Sequence, residues 1–113
     1  QVLDVPRADL ERVRAGMRAV VHGSGGTARR TGLRHLPGTV YGKTGTSQPG
    51  GWWTPKGIVS SGVWHHWFVG FYEAPGQPPI AFACVLHARR EEAAGLTSAE
   101  AVADFLEWWV RHA

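Results

Sequence analysis

Two apolar runs joined by a short turn constrain the fold of this chain more than any other feature. They extend from Trp64 to Glu73 and from Ile80 to Leu86, and both contain the aromatic and β-branched residues that favour strands. Pro75-Gly76 fits the two central positions of a type II turn, so the runs are predicted to pair as an antiparallel hairpin. Because nearly every position in both runs is apolar, we expect helices to bury both faces.

Two helices are predicted to flank this hairpin. Pro6 suits a first helical turn, and Gly23 suits a helix end. The apolar residues between them recur at helical spacing: Leu10, Val13, Met17, Val20 and Val21. Further on, Thr97-Ser98-Ala99-Glu100 has the pattern of a capping box that opens a second helix. The apolar stripe of that helix consists of Val102, Phe105, Leu106 and Trp109.

A third strand is predicted from Thr39 to Thr46, beside residues 64–73. Residues 24–38 contain four glycines and three arginines, which is typical of a loop with one short helical turn. The stretch from Ser47 to Val63 is interpreted as a long loop, and loops of that length are often functional. The predicted fold class is α+β, with a partial antiparallel sheet of three strands flanked by helices.

The composition fits one small globular domain over residues 1–113. Hydrophobic residues make up 43% of the chain, which is enough for a core. The net charge of +3 comes from basic residues spread along the chain, so a solvated surface is expected and no nucleic-acid partner. The single Cys84 excludes an internal disulfide and is interpreted as a small buried hydrophobe.

The strongest chemical signal is the segment Tyr41-Gly42-Lys43-Thr44-Gly45-Thr46. Lys-Thr-Gly is one of three signatures of the serine enzymes that recognise penicillin, although alone it also fits an edge strand with a solvated lysine. Four segments occur in the order seen near the end of the transpeptidase domain of penicillin-binding proteins: Gly16 to Val21, Gly26-Thr27-Ala28, Gly42 to Gln48 and Trp67 to Phe71. Over roughly Leu10 to Val110, the chain therefore resembles the C-terminal portion of such a domain, most closely of the monofunctional class B type.

The other two signatures of these enzymes are missing from the sequence. No serine is followed three residues later by lysine, so there is no Ser-x-x-Lys pair. The chain has no asparagine, which excludes Ser-x-Asn. The sequence therefore holds part of an active site, and activity of this chain alone is not expected.

The resemblance implies roles for the residues of the Lys-Thr-Gly strand. Thr44 and Thr46 share a face and would bind the terminal carboxylate of the substrate with their hydroxyls. Lys43 would set the local field and hydrogen-bond toward the missing catalytic groups. Gly45 would let substrate backbone approach the strand, and the backbone N–H of Thr46 would be one of two oxyanion donors.

The resemblance also implies partners and a location. The partners would be peptidoglycan stem peptides, β-lactams and the N-terminal part of the same domain, which contributes the first two of five strands. The absence of those strands would leave the edge of Ile80 to Leu86 unpaired. Because Gln1 is not an initiator methionine, we expect a piece of a longer bacterial envelope protein, with its anchor upstream and this domain on the outer face of the inner membrane.

Two further groups of residues leave alternatives open. Trp52 and Trp53 follow the Lys-Thr-Gly strand, and they suit contact with substrate peptide, contact with the membrane surface, or simple cover for a cleft wall. His65 and His66 are adjacent, so on a strand they point to opposite faces and cannot chelate one ion together. Neither a metal nor a cofactor is expected.

Two other function classes fit the same motifs. A serine β-lactamase of the class D kind also carries Lys-Thr-Gly followed by a strand like Trp67 to Phe71. A non-catalytic penicillin sensor or degenerate binding module would keep the fold without turnover. Gly26-Thr27-Ala28 and the long stretch after Gln48 favour the transpeptidase.

Overall fold

The computed structural model of the chain describes residues 2–47, 52–59, 63–89 and 97–113. Two α-helices, α1 (Arg7–His22) and α2 (Ser98–His112), enclose a strand-rich middle with one short 3-10 helix (Gly32–His35). The strands are β1 (Thr39–Ser47), β2 (Trp52–Thr54), β3 (Gly57–Val59), β4 (Val63–Glu73) and β5 (Ile80–Arg89). Strands β1, β4 and β5 form an antiparallel sheet in the order β1-β4-β5, which confirms the predicted α+β class. No helix in the described part of the chain is long and apolar enough to span a bilayer.

The predicted hairpin is present as β4 and β5. Its register pairs Tyr72 with Ile80 near the turn and continues to the far ends of both strands. Gly76 has a φ of +76°, and the N–H of Gln77 donates to the carbonyl of Ala74 at 3.3 Å, as in a type II turn. Strand β5 extends beyond Leu86 to Arg89, because backbone pairing continues after the apolar side chains end.

The core lies between α2 and one face of the sheet. Phe68 and Tyr72 of β4 are fully buried there with Val40 of β1. From α2, Val102 and Leu106 are buried, as the predicted stripe requires. Phe105 of the same stripe is wrongly predicted, since it is 43% exposed and stacks beside Trp108 instead. The predicted capping box is confirmed, with Thr97 and Glu100 each accepting from the other's N–H.

The opposite face of the sheet is not buried, which contradicts the expectation from the apolar runs. Trp67, Val69 and Val85 are 41%, 38% and 45% exposed. Helix α1 packs mainly against β1, so it leaves the outer part of this face uncovered. The apolar composition of the strands predicts a helix over this outer part of the face, and no such helix is present in the described part of the chain.

Helix α1 meets the sheet partly through a polar residue. The Arg14 guanidinium donates to both carboxylate oxygens of Glu73, at 3.2 and 2.9 Å. It also lies over the rings of Tyr41 and Phe71, which stack on each other with centroids 4.5 Å apart. These contacts of Arg14 hold α1 against β1 and β4. The predicted apolar stripe of α1 is buried only near its end, at Val21.

The long loop predicted from Ser47 to Val63 is wrong in part, because it contains a short hairpin. Strands β2 and β3 pair with Thr54 opposite Gly57. Pro55 presets the turn between them, and Gly57 adopts a φ of +114°. The two strands are only three residues each, which is too short for a clear periodic signal.

The different burial of two leucines gives a test of this packing. In the 113-residue chain, Leu106→Ala should lower the free energy of unfolding by about 2–5 kcal/mol, because Leu106 is fully buried. Leu10→Ala is the matched control on α1, where the side chain is 49% exposed, and should cost about 0.5 kcal/mol or less. Urea unfolding followed by circular dichroism measures both. Equal losses would contradict the described core.

Candidate active site

Strand β1 has only one sheet neighbour, β4, among the described residues, so its other side is open. The N–H of Val40 donates to Nε2 of His22 at 3.3 Å, outside the sheet. In an antiparallel ladder successive residues direct their backbone groups to alternate sides. The N–H groups of Thr44 and Thr46 therefore point to the same open side as that of Val40. The strand offers backbone donors along the edge that carries Lys-Thr-Gly.

The side chains of Thr44 and Thr46 share the face that also carries Val40. The Oγ1 atoms of Thr44 and Thr27 lie 2.9 Å apart, within hydrogen-bond distance. Both Thr44 and Thr46 line a cavity of about 190 Å³, together with Thr27, His66 and the first residues of α2. Hydroxyl groups thus concentrate on one side of the Lys-Thr-Gly strand.

Lys43 lies on the opposite face of β1 and is exposed. Its Nζ donates to the carbonyl of Thr44 at 2.5 Å, so the ammonium is held near the open edge. The side chain lines a cleft of about 440 Å³ with the end of α1 and residues 23–27. The cation and the two threonine hydroxyls therefore flank the same edge from two sides.

The segment Gly26-Thr27-Ala28 places Thr27 beside Thr44. The N–H of Ala28 donates to the carbonyl of Val20 at 3.0 Å, which folds the chain back under the end of α1. A Cβ at Gly26 would lie only 2.2 Å from that same carbonyl oxygen, so only glycine fits. Two motifs 17 residues apart in sequence meet because of this backbone contact.

The two glycines of the motif differ in what surrounds them. A Cβ at Gly42 would lie 2.4 Å from the ring of Phe68, so the fold itself requires glycine there. A Cβ at Gly45 would be 3.8 Å from the Cβ of Trp67, which is an ordinary contact. Within the described structure, nothing about packing explains a glycine at position 45.

His22 couples α1 to β1. Burial is the main cause that lowers the pKa of His22 below its usual value, and the charge of Arg18 lowers it further. The ring accepts the Val40 N–H through Nε2, a bond that only the unprotonated nitrogen can make. The folded state therefore favours the neutral form of His22.

The structure also locates the other predicted residues. The backbones of Trp52 and Trp53 lie in β2, and the contacts predicted for their side chains stay predictions. His65 and His66 do occupy opposite faces of β4, as expected for adjacent strand residues. The sequence reasoning missed the contact of His65 with His87, because the two are 22 residues apart and meet only through the hairpin register.

Comparison with known proteins identifies the family. The chain matches the family described as the penicillin binding protein transpeptidase domain over residues 1–107. It therefore belongs to this family, whose members generally bind β-lactams and peptidoglycan substrates and are associated with the cell envelope. Searches of curated proteins and of solved structures found no match.

The lowered pKa of His22 predicts acid sensitivity. The pKa of His22 in the folded state lies below its unfolded value of about 6.5. The stability contributed by neutral His22 is therefore complete above about pH 6.5 and is lost as the pH falls through the lowered pKa. Urea midpoints measured at about pH 7.5 and about pH 5 should therefore fall more for the parent chain than for His22→Gln. His112→Gln, which changes an exposed histidine, should keep the parent's sensitivity. An equal fall in His22→Gln and the parent would contradict this role.

Proposed function

We propose that this chain contributes the Lys-Thr-Gly side of the active site of a peptidoglycan D,D-transpeptidase of the class B type. In this proposal it is the C-terminal portion of one transpeptidase domain, which binds penicillin and cross-links stem peptides of the bacterial cell wall. The observation that carries the proposal is the edge of β1, where Lys43, the hydroxyls of Thr44 and Thr46, and outward N–H groups converge. Family membership supports the reaction class.

The substrate carboxylate is the natural ligand for the two threonines. They project from one face of β1 at alternate positions, so both hydroxyls reach one anion. Lys43 supplies a positive field from the other side of the same edge. Hydrogen bonds to charged groups contribute about 1.5–3 kcal/mol each, so this set selects a substrate that ends in a carboxylate.

The oxyanion is the second charge that the edge stabilises. When a serine attacks the scissile carbonyl, negative charge develops on the carbonyl oxygen and requires donors already in place. The outward N–H of Thr46 is one such donor in this proposal, and the serine's own N–H is the other. Loss of one donor typically slows such reactions by about 10²–10³.

Gly45 fits a role in substrate approach rather than in folding. Its missing side chain is not required by any neighbour in the described structure. A substrate peptide that lies along β1 as an added strand needs that space, because strands pair about 4.8 Å apart. The open position at Gly45 supports binding by strand addition.

The catalytic serine is proposed to come from the N-terminal part of the same domain, since these 113 residues hold no Ser-x-x-Lys. Strand β5 has an unpaired outer edge in the described structure, and a groove of about 630 Å³ runs between β5 and α2. Apolar residues line it: Ile80, Ala81, Phe82, Ala83, Cys84, Val85, Ala101, Val102 and Phe105. A further pair of strands would cover both the edge and the groove.

Two alternatives share this geometry and differ in the fate of the acyl-serine. A class D-like β-lactamase hydrolyses it rapidly, whereas a transpeptidase holds it until an amine arrives. A sensor or degenerate module forms it or binds reversibly without turnover on peptides. The Gly26-Thr27-Ala28 contact with Thr44 favours the transpeptidase, because it joins two segments that carry the family resemblance.

Substitutions on β1 test the proposed roles in the complete protein. Thr44→Val removes a hydroxyl at constant volume and should slow acylation by fluorescent penicillin at least about tenfold, the value of one charge-assisted bond. Gly45→Ala should also slow acylation while leaving the melting temperature nearly unchanged, since its Cβ finds room. Gly42→Ala is the matched control and should destabilise the fold by about 1–3 kcal/mol. Unchanged labelling of Thr44→Val and Gly45→Ala would refute these roles.

The behaviour of this chain alone tests the division of the active site. Mass spectrometry after incubation with a β-lactam should show no adduct on the isolated chain, because no activated serine is present. Mixing with the upstream half of the domain should restore labelling, on a serine outside this sequence. A stable adduct in the lone chain on any of its serines would overturn the proposal: Ser24, Ser47, Ser60, Ser61 or Ser98.

A further inference from the structure

His65 and His87 form a close pair across β4 and β5. Nε2 of His65 lies 2.8 Å from Nδ1 of His87, and the ring centroids are 4.8 Å apart. The two residues are direct partners in the strand register. They lie on the face of the sheet opposite the core, where His87 is exposed and His65 is half-buried.

The register explains why the two rings come so close. Residues of β4 that bond to β1 alternate with those that bond to β5. Val40 directs its N–H away from β4, so the next pair along the ladder, Tyr41 and Phe71, exchanges backbone hydrogen bonds between β1 and β4. His65 lies an even number of residues from Phe71, so its backbone also bonds to β1 and not to β5. His65 and His87 therefore occupy a non-hydrogen-bonded pair, the position at which facing side chains are nearest, with Cα atoms about 4.5 Å apart.

We propose that His65 and His87 form a binding site for a late first-row divalent metal ion, with Cu²⁺ bound more tightly than Ni²⁺ or Zn²⁺. Imidazole nitrogen is a favoured ligand of these ions, and affinity for Cu²⁺ is the highest in the series. Two nitrogens bound at about 2.0–2.1 Å lie about 3 Å apart in square-planar geometry and slightly farther apart in tetrahedral geometry. The observed separation of 2.8 Å between the two nitrogens is close to the square-planar value.

The surroundings leave the remaining coordination positions open. Among the described residues, no third histidine, cysteine or carboxylate joins the pair. Ser47 of β1 is in register with His65, so its hydroxyl belongs to the same row of the sheet. The ion is thus held by two protein nitrogens from adjacent strands, and water occupies the other positions.

The position of the site gives it a structural consequence for the Lys-Thr-Gly strand. The row of Ser47, His65 and His87 crosses all three strands of the sheet, one residue beyond Thr46. An ion that bridges β4 and β5 at this row fixes the end of the sheet against which the last part of β1 is paired. Metal binding therefore stabilises the folded chain by mass action.

Metal titration of the 113-residue chain and its histidine variants tests the proposal. Calorimetry with CuCl₂, NiCl₂ and ZnCl₂ should give one tight site per chain, in the affinity order stated above. Loss of even an outer partner of a metal ligand commonly costs about 10–100-fold in affinity, so His65→Gln and His87→Gln should each weaken Cu²⁺ binding at least about tenfold. His112→Gln removes an exposed histidine outside the pair and should leave the affinity unchanged. Circular dichroism checks that each variant is folded.

A second measurement needs no variant. Substoichiometric Ni²⁺ or Cu²⁺ should broaden the ring signals of His65, His87 and the neighbouring Trp67 in the NMR spectrum of the parent chain before those of the other histidines. Equal broadening at all histidines, or parent-like affinity in both pair variants, would show that the contact is only a hydrogen bond between two rings and would overturn the proposal.

Discussion

The pairing of β1 with β4 is the constraint on which the candidate site depends. It relies on two glycines that face each other, Gly42 and Gly70. A Cβ at Gly70 would lie 1.9 Å from the carbonyl oxygen of Tyr41, and one at Gly42 would enter the ring of Phe68. A side chain at either position would clash with these neighbours, so the close approach of the two strands requires glycine. Lys43 and Thr44 directly follow Gly42, so this contact fixes the register of the strand that carries them.

The parts of the fold that were predictable from sequence are those with local causes. Pro75-Gly76 determines a turn by its own backbone preferences, and the β4–β5 hairpin follows from it. The capping box at Thr97 and Glu100 likewise depends on residues three apart. In both cases the interaction that fixes the structure lies within the segment that carries the signal.

The incorrect predictions concern burial, which depends on what else is packed nearby. The apolar runs of β4 and β5 suggested two covered faces, yet Trp67 and Val85 are exposed in the described structure. Leu10 and Val13 of α1 are also exposed, although their spacing is helical as predicted. The apolar composition of a segment reflects how that segment is buried in the complete domain. In our proposal this chain is only part of that domain, so it supplies only part of the packing. The exposed positions are consistent with surfaces that another segment covers.

Sequence motifs indicated which residues to propose for the candidate site, but not how those residues are arranged in space. Alternation along a strand gave the shared face of Thr44 and Thr46, because that rule is local. The contact between Thr27 and Thr44 and the pairing of His65 with His87 need the tertiary path of the chain. That path depends on the close packing of Gly26 under the end of α1 and on the register of the β4–β5 hairpin. Neither can be deduced from the spacing of residues along the sequence.

A single strand can meet several chemical demands because its groups point in different directions. Side chains alternate between the two faces of a sheet, while backbone donors lie in its plane. On β1, Lys43 occupies one face, Thr44 and Thr46 occupy the other, and the open edge presents N–H groups between them. A cation, two hydroxyls and a backbone donor thus lie around the same edge of β1 without occupying the same space. In our proposal an edge strand is required for this arrangement, since a neighbour on both sides would consume the N–H groups that bind the substrate.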